Sequence, residues 1–340
     1  MTSTAQTSTT ARRVTLAQHR AGTEPATALV AVDQIDLPAP GPGQALVRTT
    51  HVQVAAVMAD LMGTSPNLPM PGYAVGQPVW GAAVGQVVAS GEGALAPGTM
   101  VLHMQGWQDH VLTGPWEAFP LDPTLPAPYY GLNQGVTALH GIVDIAEVGE
   151  GDVVFVSGAA GGVGSLAGQI ARTRGATTVI GSAGGPAKCA YLVEELGYDA
   201  AVDHRGGDLL GQLRAAAPDG IDVFFDTVAG DQFEAAVHVA AQGARFALCG
   251  ALAGQLEDSA GAHPRLDVMT AIRKELRILP FSTMHTPEQL QAWHTQYGPW
   301  LADGSLRYPH TLVPGGLDAA AATLDDLLAG VHRGTVVVEL

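Results

Sequence analysis

Residues 153–164 read VVFVSGAAGGVG and constrain this chain more than any other stretch. Val153, Val154, Phe155, Val156 and Ser157 are β-branched, aromatic or small, and none is charged. That is the composition of a strand buried on both faces of a parallel sheet. Glycines follow at Gly158, Gly161, Gly162 and Gly164, and a helical run, SLAGQIARTRG, closes at Gly175. Strand, glycine turn and helix together bring backbone N–H groups at a helix N-terminus up to an anion such as a dinucleotide pyrophosphate. The fingerprint of that use is G-x-G-x-x-G. Residues 159–164 keep its last two glycines and carry Ala159 at the first position.

The chain beyond Gly175 fits that reading. A second strand is expected at 177–181, about twenty residues after the glycines, the spacing of a βαβ unit. Then come a helix at 187–196, a strand at 200–203, a helix at 208–216, a strand at 221–226 and a helix at 231–240. A strand at 245–250 closes the series. Alternation over about a hundred residues predicts a doubly wound parallel sheet of the Rossmann type, an α/β fold. The end of the second strand then speaks to the cofactor. An NAD site usually places Asp or Glu there to bind the ribose 2′-hydroxyl. Here Gly181, Ser182, Ala183, Gly184 and Gly185 offer no acid. Lys188 comes soon after, and His204 and Arg205 follow the third strand. NADP is therefore expected, its 2′-phosphate among Ser182, Lys188, His204 and Arg205.

The charge balance sharpens this. The net charge is −16 over 340 residues, which argues against nucleic acid or an anionic membrane surface as partner. An acidic protein that binds an anionic cofactor needs a local cluster of positive charge. Two cysteines, Cys189 and Cys249, suggest neither a disulfide framework nor a four-cysteine zinc site, and a cytoplasmic location is expected. Residues 1–12 begin Ser/Thr-rich, lack the apolar core of a signal peptide, and read as a disordered tail. Residues 153–171 carry no charge, but their glycines and polar residues make them strand, turn and helix rather than a membrane span.

The flanks differ in character. Between 14 and about 120, short strands are expected at 45–48, 52–57, 81–89 and 100–103, broken by Pro and Gly. This predicts a β-rich domain, a small distorted barrel. Near the C-terminus a helix at 287–302, a strand at 306–313, a helix at 317–328 and a strand at 335–340 are too little to fold alone. They are expected to return to the first domain. The resulting division is 13–122 plus 306–340 for the β-rich domain and 123–305 for the cofactor domain.

This order of parts resembles the medium-chain dehydrogenase/reductase superfamily, and more narrowly its zinc-independent branch of alkenal and prostaglandin double-bond reductases and quinone oxidoreductases. Residues 135–138 (GVTA), 158–165 (GAAGGVGS), 168–171 (GQIA), 188–192 (KCAYL), 225–230 (FDTVAG), 249–251 (CGA) and 275–277 (ELR) carry the resemblance. It implies a GroES-like fold for the β-rich domain. It implies NADP held by Asn133, Thr137, Ala160, Gly161, Gly162, Val163, Gly164, Gly181, Ser182 and Lys188. Further along the chain it adds His204, Arg205, Thr227, Cys249, Gly250, Phe281, Thr283 and His332. It implies hydride transfer to a small conjugated carbonyl compound or quinone, without metal. It implies a homodimer paired along the apolar strand at 276–281. The zinc-dependent relatives need an early cysteine, and none precedes Cys189; His51, His103 and His110 show no metal-ligand spacing.

One departure bears on the chemistry. Where these reductases typically carry Asp-Pro-Tyr-Met-Arg, alignment on Met58 places Ala55, Ala56, Val57, Met58 and Ala59. A later family tyrosine is replaced by Arg273. Asp60, His51, Trp107, Asp109 and His110 remain as pocket candidates, with Asp60 and His51 as catalytic groups beside His332. Alignment on Gly330 and Gly334 puts His332 where the family usually has an asparagine near the nicotinamide. Two function classes stay open: an NADPH-dependent reductase, or a member that keeps the cofactor and has lost reduction.

Overall fold

The computed structural model describes residues 8–67, 70–256 and 263–340. The chain forms two compact units, Met1–Asn133 with Thr311–Leu340, and Gln134–His310.

In the second unit six parallel strands form one sheet, in the order Ala200–Asp203, Thr178–Ala183, Val153–Val156, Ile221–Asp226, Ala240–Leu248 and Arg277–Pro280. Numbered by their sequence within the unit this is 3-2-1-4-5-6, the order of a doubly wound dinucleotide-binding sheet. The central strands are nearly all buried, as their apolar sequences require. Their aromatic residues make the core: Phe155 stacks on Phe224 at 5.0 Å between centroids, and Phe246 meets both Phe224 and Phe233 edge-on. The order reverses between Val153–Val156 and Ile221–Asp226. Ligands of such sheets bind beyond the strand ends at this crevice.

The helix Gly164–Thr173 follows the glycine turn and is buried over its first eight residues. It sits close to its neighbours because small residues let it. A Cβ on Gly168 would overlap the ring of Tyr198, whose hydroxyl donates to the Gly164 carbonyl at 2.7 Å. A Cβ on Gly164 would stand 2.5 Å from the Gly158 carbonyl oxygen.

The first unit is β-rich. Its larger sheet is built on Ala45–Val54, paired antiparallel with Ala83–Ser90, His110–Thr113 and Thr335–Glu339. The C-terminal strand therefore lies in the sheet of the N-terminal unit. Trp107 is wholly buried in this unit's core with Leu29, Leu61 and Met62, and its indole N–H donates to the Gln53 carbonyl.

Several sequence expectations need correction. Of the tail assigned to 1–12, residues 1–7 lie outside the described residues, and the rest gives way to a strand at Thr9–Leu16, paired antiparallel with Val30–Leu37. Thr10, Arg12 and Arg13 keep some exposure while Ala11, Val14 and Leu16 are buried, so overall polarity hid the apolar positions. The strands expected at 45–48 and 52–57 are one strand, Ala45–Val54, followed by a helical turn at Val57–Leu61. The strand expected at 306–313 shortens to His310–Val313. The unit boundary falls after Asn133 rather than at 122, because Leu132 packs with Val84 and Val337.

The fit of the helix against Tyr198 gives a stability test. Gly168→Ala forces the ring or the helix to move and should cost about 1–3 kcal/mol, the usual penalty of overpacking. Urea unfolding reads this as a lower midpoint; an unchanged midpoint would mean the contact carries no stability.

Candidate functional site: a dinucleotide crevice

The crevice is organised from below by one buried carboxylate. Asp226 ends its strand, 1% exposed, and its Oδ1 accepts from Ser157 Oγ at 2.7 Å and from the backbone N–H groups of Val228 and Ala229 at 2.9 Å. Burial raises its pKa, against the pull of these donors. Ser157 in turn accepts from Thr227 N, and Thr227 Oγ1 donates to the Ser157 carbonyl. The loops after the first and fourth strands of the sheet are thereby pinned together where the strand order reverses.

Above this pin lies the glycine turn. Gly158 has φ +56°, and a side chain there would meet Thr227 Oγ1 at 2.7 Å. Gly161 N donates to the Gly158 carbonyl, and Ser165 N to the Gly161 carbonyl. The turn, with Ala160, Gly162 and Val163, leads into a buried helix whose N–H groups at Leu166 and Ala167 donate to the Val163 carbonyl. Gly181 is buried under it, against Ala159 and Tyr198. Ser182 departs from expectation. It is wholly buried, its hydroxyl accepting from Gly158 N and bonded to Gln232. It braces the glycine turn and is not a phosphate ligand.

The other three groups expected at a 2′-phosphate do come together. A Cβ on Gly184 would stand 3.0 Å from Arg205 Nε and 3.1 Å from His204 Nε2, so both side chains converge over the space that this glycine leaves. Burial lowers the His204 pKa, and the charges of Arg205 and Lys188 lower it further, against Asp203. The neighbouring carboxylate is turned onto the backbone: Asp203 Oδ1 accepts from Gly185 N at 2.8 Å and Arg205 N at 2.9 Å, which lowers its pKa. The result is a small basic cluster beside the second and third strand ends, suited to a dianion.

Further round, Cys249 N and Gly250 N both donate to the Asp226 carbonyl. Burial, with Asp226 adding to it, pushes the Cys249 thiol up to about 12, so it is no nucleophile near neutral pH. Phe281 packs on Phe225 and edge-on to His140. Thr283 is exposed on the following loop, and Thr137 is bonded to His285. His140, His285, Gln232 and Tyr198 went unnoticed in the sequence, because no local pattern marks residues whose partners lie far along the chain.

The candidates in the β-rich unit fare differently. Asp60 is corrected from catalytic group to loop anchor: it is 6% exposed, and its carboxylate takes the backbone and side-chain N–H groups of Asn67. Trp107 is core. Asp109 Oδ1 accepts from Arg12 N and faces His110 Nδ1, which ties strands together. His103 is wholly buried and pushed down to about 4 by burial. His51 is half-buried, against Tyr129 and Thr50; burial lowers its pKa and Glu339 opposes. Asn133 donates to the Tyr130 carbonyl. His332 is half-buried on the loop before Thr335–Glu339. Among the described residues no three His, Cys, Asp or Glu side chains are grouped to hold a metal ion. Among them, too, no helix is long and apolar enough to cross a membrane.

Known proteins share this arrangement. Residues 162–296 match a family model described as zinc-binding dehydrogenase, and residues 12–121 one described as N-terminal domain of oxidoreductase. The NADPH-dependent curcumin reductase of Escherichia coli is 30% identical over 317 residues, 91% of each chain. Prostaglandin reductase 1 of Rattus norvegicus is 32% identical over 276 residues, covering 78% of this chain and 82% of that protein. The crystal structure of CurA in complex with NADPH from Vibrio vulnificus superposes with a TM-score of 0.89 at 30% identity, covering 96% of this chain and 98% of that one. The chain belongs to the zinc-independent branch of the medium-chain dehydrogenase/reductase superfamily, alongside the curcumin and prostaglandin reductases.

Proposed function

We propose that the protein is an NADPH-dependent reductase of conjugated carbonyl compounds, enones, alkenals or quinones. One observation carries the cofactor half of this reading: His204 and Arg205 converge over Gly184, with Lys188 within electrostatic reach of His204, where an NAD site would carry an acid. The substrate half rests on the likeness to the curcumin and prostaglandin reductases, whose names state the compounds they reduce.

The residues present fit NADPH. The glycine turn offers backbone N–H groups to the pyrophosphate, and the basic cluster offers charge to the 2′-phosphate. Thr227, Cys249 and Gly250 supply the floor, and Phe281 and Thr283 belong to the loop beyond the last strand. When bound, NADPH supplies a hydride. The chain must then furnish hydrogen-bond donors for the carbonyl oxygen and a proton for the reduced substrate, since the side chains of residues 55–59 carry neither hydroxyl nor guanidinium. His332 is our candidate for the proton, because an imidazole titrates near neutral pH where an asparagine amide does not.

The cofactor claim is tested by Lys188→Ala. Losing one charge-assisted contact of roughly 1.5–3 kcal/mol should weaken NADPH binding about ten- to a hundredfold and leave NADH unchanged. Equal affinities of variant and wild type for both cofactors would refute the assignment.

The His332 role is tested by two substitutions. His332→Asn should keep NADPH affinity yet lose turnover on an enone by roughly 100- to 10,000-fold, as His332→Ala should too. Full turnover in both variants would remove His332 from the chemistry. No NADPH oxidation by wild type with enones, alkenals or quinones would favour the alternative, a cofactor-binding member that has lost reduction, which the missing tyrosine and arginine support.

We also propose a homodimer. Arg277–Pro280 is an edge strand, and Val268, Met269 and Ile272 on the preceding helix Val268–Lys274 are more than half exposed. An open apolar edge of this kind invites pairing, and a second copy across a two-fold axis would cover it. Light scattering at micromolar concentration should give twice the chain mass; the mass of one chain would count against it.

A further inference from the structure

The glycine turn is also held by a hydrogen-bond chain that ends on a residue given no role above. The first two N–H groups of the turn both end on Ser182: Gly158 N donates to its Oγ at 3.2 Å, and Ala159 N to its carbonyl at 2.9 Å. The two bonds differ in what maintains them. The carbonyl is placed by the backbone of Thr178–Ala183, which pairs with Val153–Val156. The hydroxyl is placed by its rotamer and by where its single proton goes. Ser182 is wholly buried, so that proton needs an acceptor inside the protein. Gln232, 4% exposed, supplies it through Oε1. The opposite amide orientation would aim Nε2 at the same oxygen and leave the serine proton without an acceptor among the described residues. The orientation with Oε1 toward Ser182 is therefore the one that satisfies the chain.

Gln232 reaches Ser182 from a strained turn. Ala229 has φ +63° and ψ −142°, a backbone region that residues with a side chain rarely adopt. Asp226 Oδ1 holds it there by accepting from Ala229 N at 2.9 Å. The helix Gly230–Val239 starts at once, with Gln232 in its first turn. The loop after Asp226 thus grips the glycine turn twice, through Ser157 just before Gly158 and through Gln232 and Ser182. The second grip has one polarity: Gly158 N–H to Ser182, then Ser182 O–H to Gln232. With no acceptor at 232, the hydroxyl either turns its proton toward Gly158 N, where donor meets donor, or swings away. Both release Gly158 N, while Ala159 N keeps its carbonyl.

We propose that Gln232 is a positioning residue for the dinucleotide: by taking the Ser182 proton it keeps Ser182 Oγ an acceptor for Gly158 N, and so holds the glycine turn in the shape that receives the pyrophosphate. This rests on the reading of that turn as the pyrophosphate site. Gln232 acts only through Ser182, and it acts on the part of the cofactor that NADPH and NADH share. Its removal therefore differs in kind from removal of Lys188, which acts at the 2′-phosphate.

The test is fluorescence titration of the full chain with NADPH and with NADH, for wild type, Gln232→Met, Ser182→Ala and the double variant. Methionine keeps the length of the side chain and offers only a weak acceptor. Gln232→Met should weaken both cofactors by the same factor, about three- to tenfold, the worth of one hydrogen bond. Adding Gln232→Met to Ser182→Ala should cost nothing further, because the two act as one unit. Amide exchange, followed by NMR on the cofactor-free chain, gives a readout that general loss of stability would not. In Gln232→Met the Gly158 N–H should exchange faster than in wild type, while the Ala159 N–H keeps its protection. Wild-type affinity for both cofactors in Gln232→Met, a loss confined to NADPH, an equal loss with and without Ser182→Ala, or an unchanged Gly158 exchange rate would overturn the proposal. Wild type that binds neither cofactor would overturn the reading of the turn as a pyrophosphate site, and this proposal with it.

Discussion

Asp226 is the point on which the cofactor unit turns. A carboxylate buried at the end of a central strand is costly unless it is bonded, and this one is bonded to three donors through one oxygen. Those donors belong to its own loop and to the strand that feeds the glycine turn. Ser157 serves both sides, donating to Asp226 and accepting from Thr227. Removing the carboxylate would leave the buried Ser157 hydroxyl and two loop N–H groups without their acceptor. The shape of the crevice is therefore fixed by polar pairing inside the sheet, and the glycines merely permit it.

A second constraint is electrostatic. The chain carries a net charge of −16, yet its basic cluster is local and held by a carboxylate bonded to the backbone of its loops. Asp203 is bonded to the N–H groups of Gly185 and Arg205, so it fixes the loops, and its charge offsets only part of the cluster's effect on His204. At physiological salt, charges beyond about 8 Å are screened, so the distant acidic surface matters less to a bound phosphate than these neighbours. Anion selectivity in an acidic protein is in this way a short-range property.

The sequence made the cofactor unit legible because its strands are buried on both faces and need no knowledge of partners. The strands at 200–203 and 221–226 stand where composition put them, and Gly175 ends its helix. The β-rich unit was less legible. Its strands alternate, bend and pair across long distances, so polar His51 and Thr50 inside one strand looked like a break. The site divided on similar lines. The meeting of His204 and Arg205 was legible because both follow the third strand directly, at the end where ligands of such sheets bind. Ser182 was misread because position along the chain does not tell which way a hydroxyl points, and Gln232 claims it. Asp60 was misread for the same reason, through Asn67. The contacts of His285 with Thr137 and His140 were not legible, since no motif joins residues so far apart in the chain.

The last strand has a consequence for how the molecule is made. Thr335–Glu339 pairs with Ala45–Val54, so the cofactor unit is one uninterrupted segment set inside the β-rich one. On a ribosome the parallel sheet has all its strands once residues 277–280 have emerged. The N-terminal unit must wait with an open sheet edge until residues 335–339 arrive. Its closure is a long-range event, slower than the local pairings that build the sheet between. Loss of residues 335–339 would therefore leave the edge of Ala45–Val54 open, so a late segment acts as the lock on an early one.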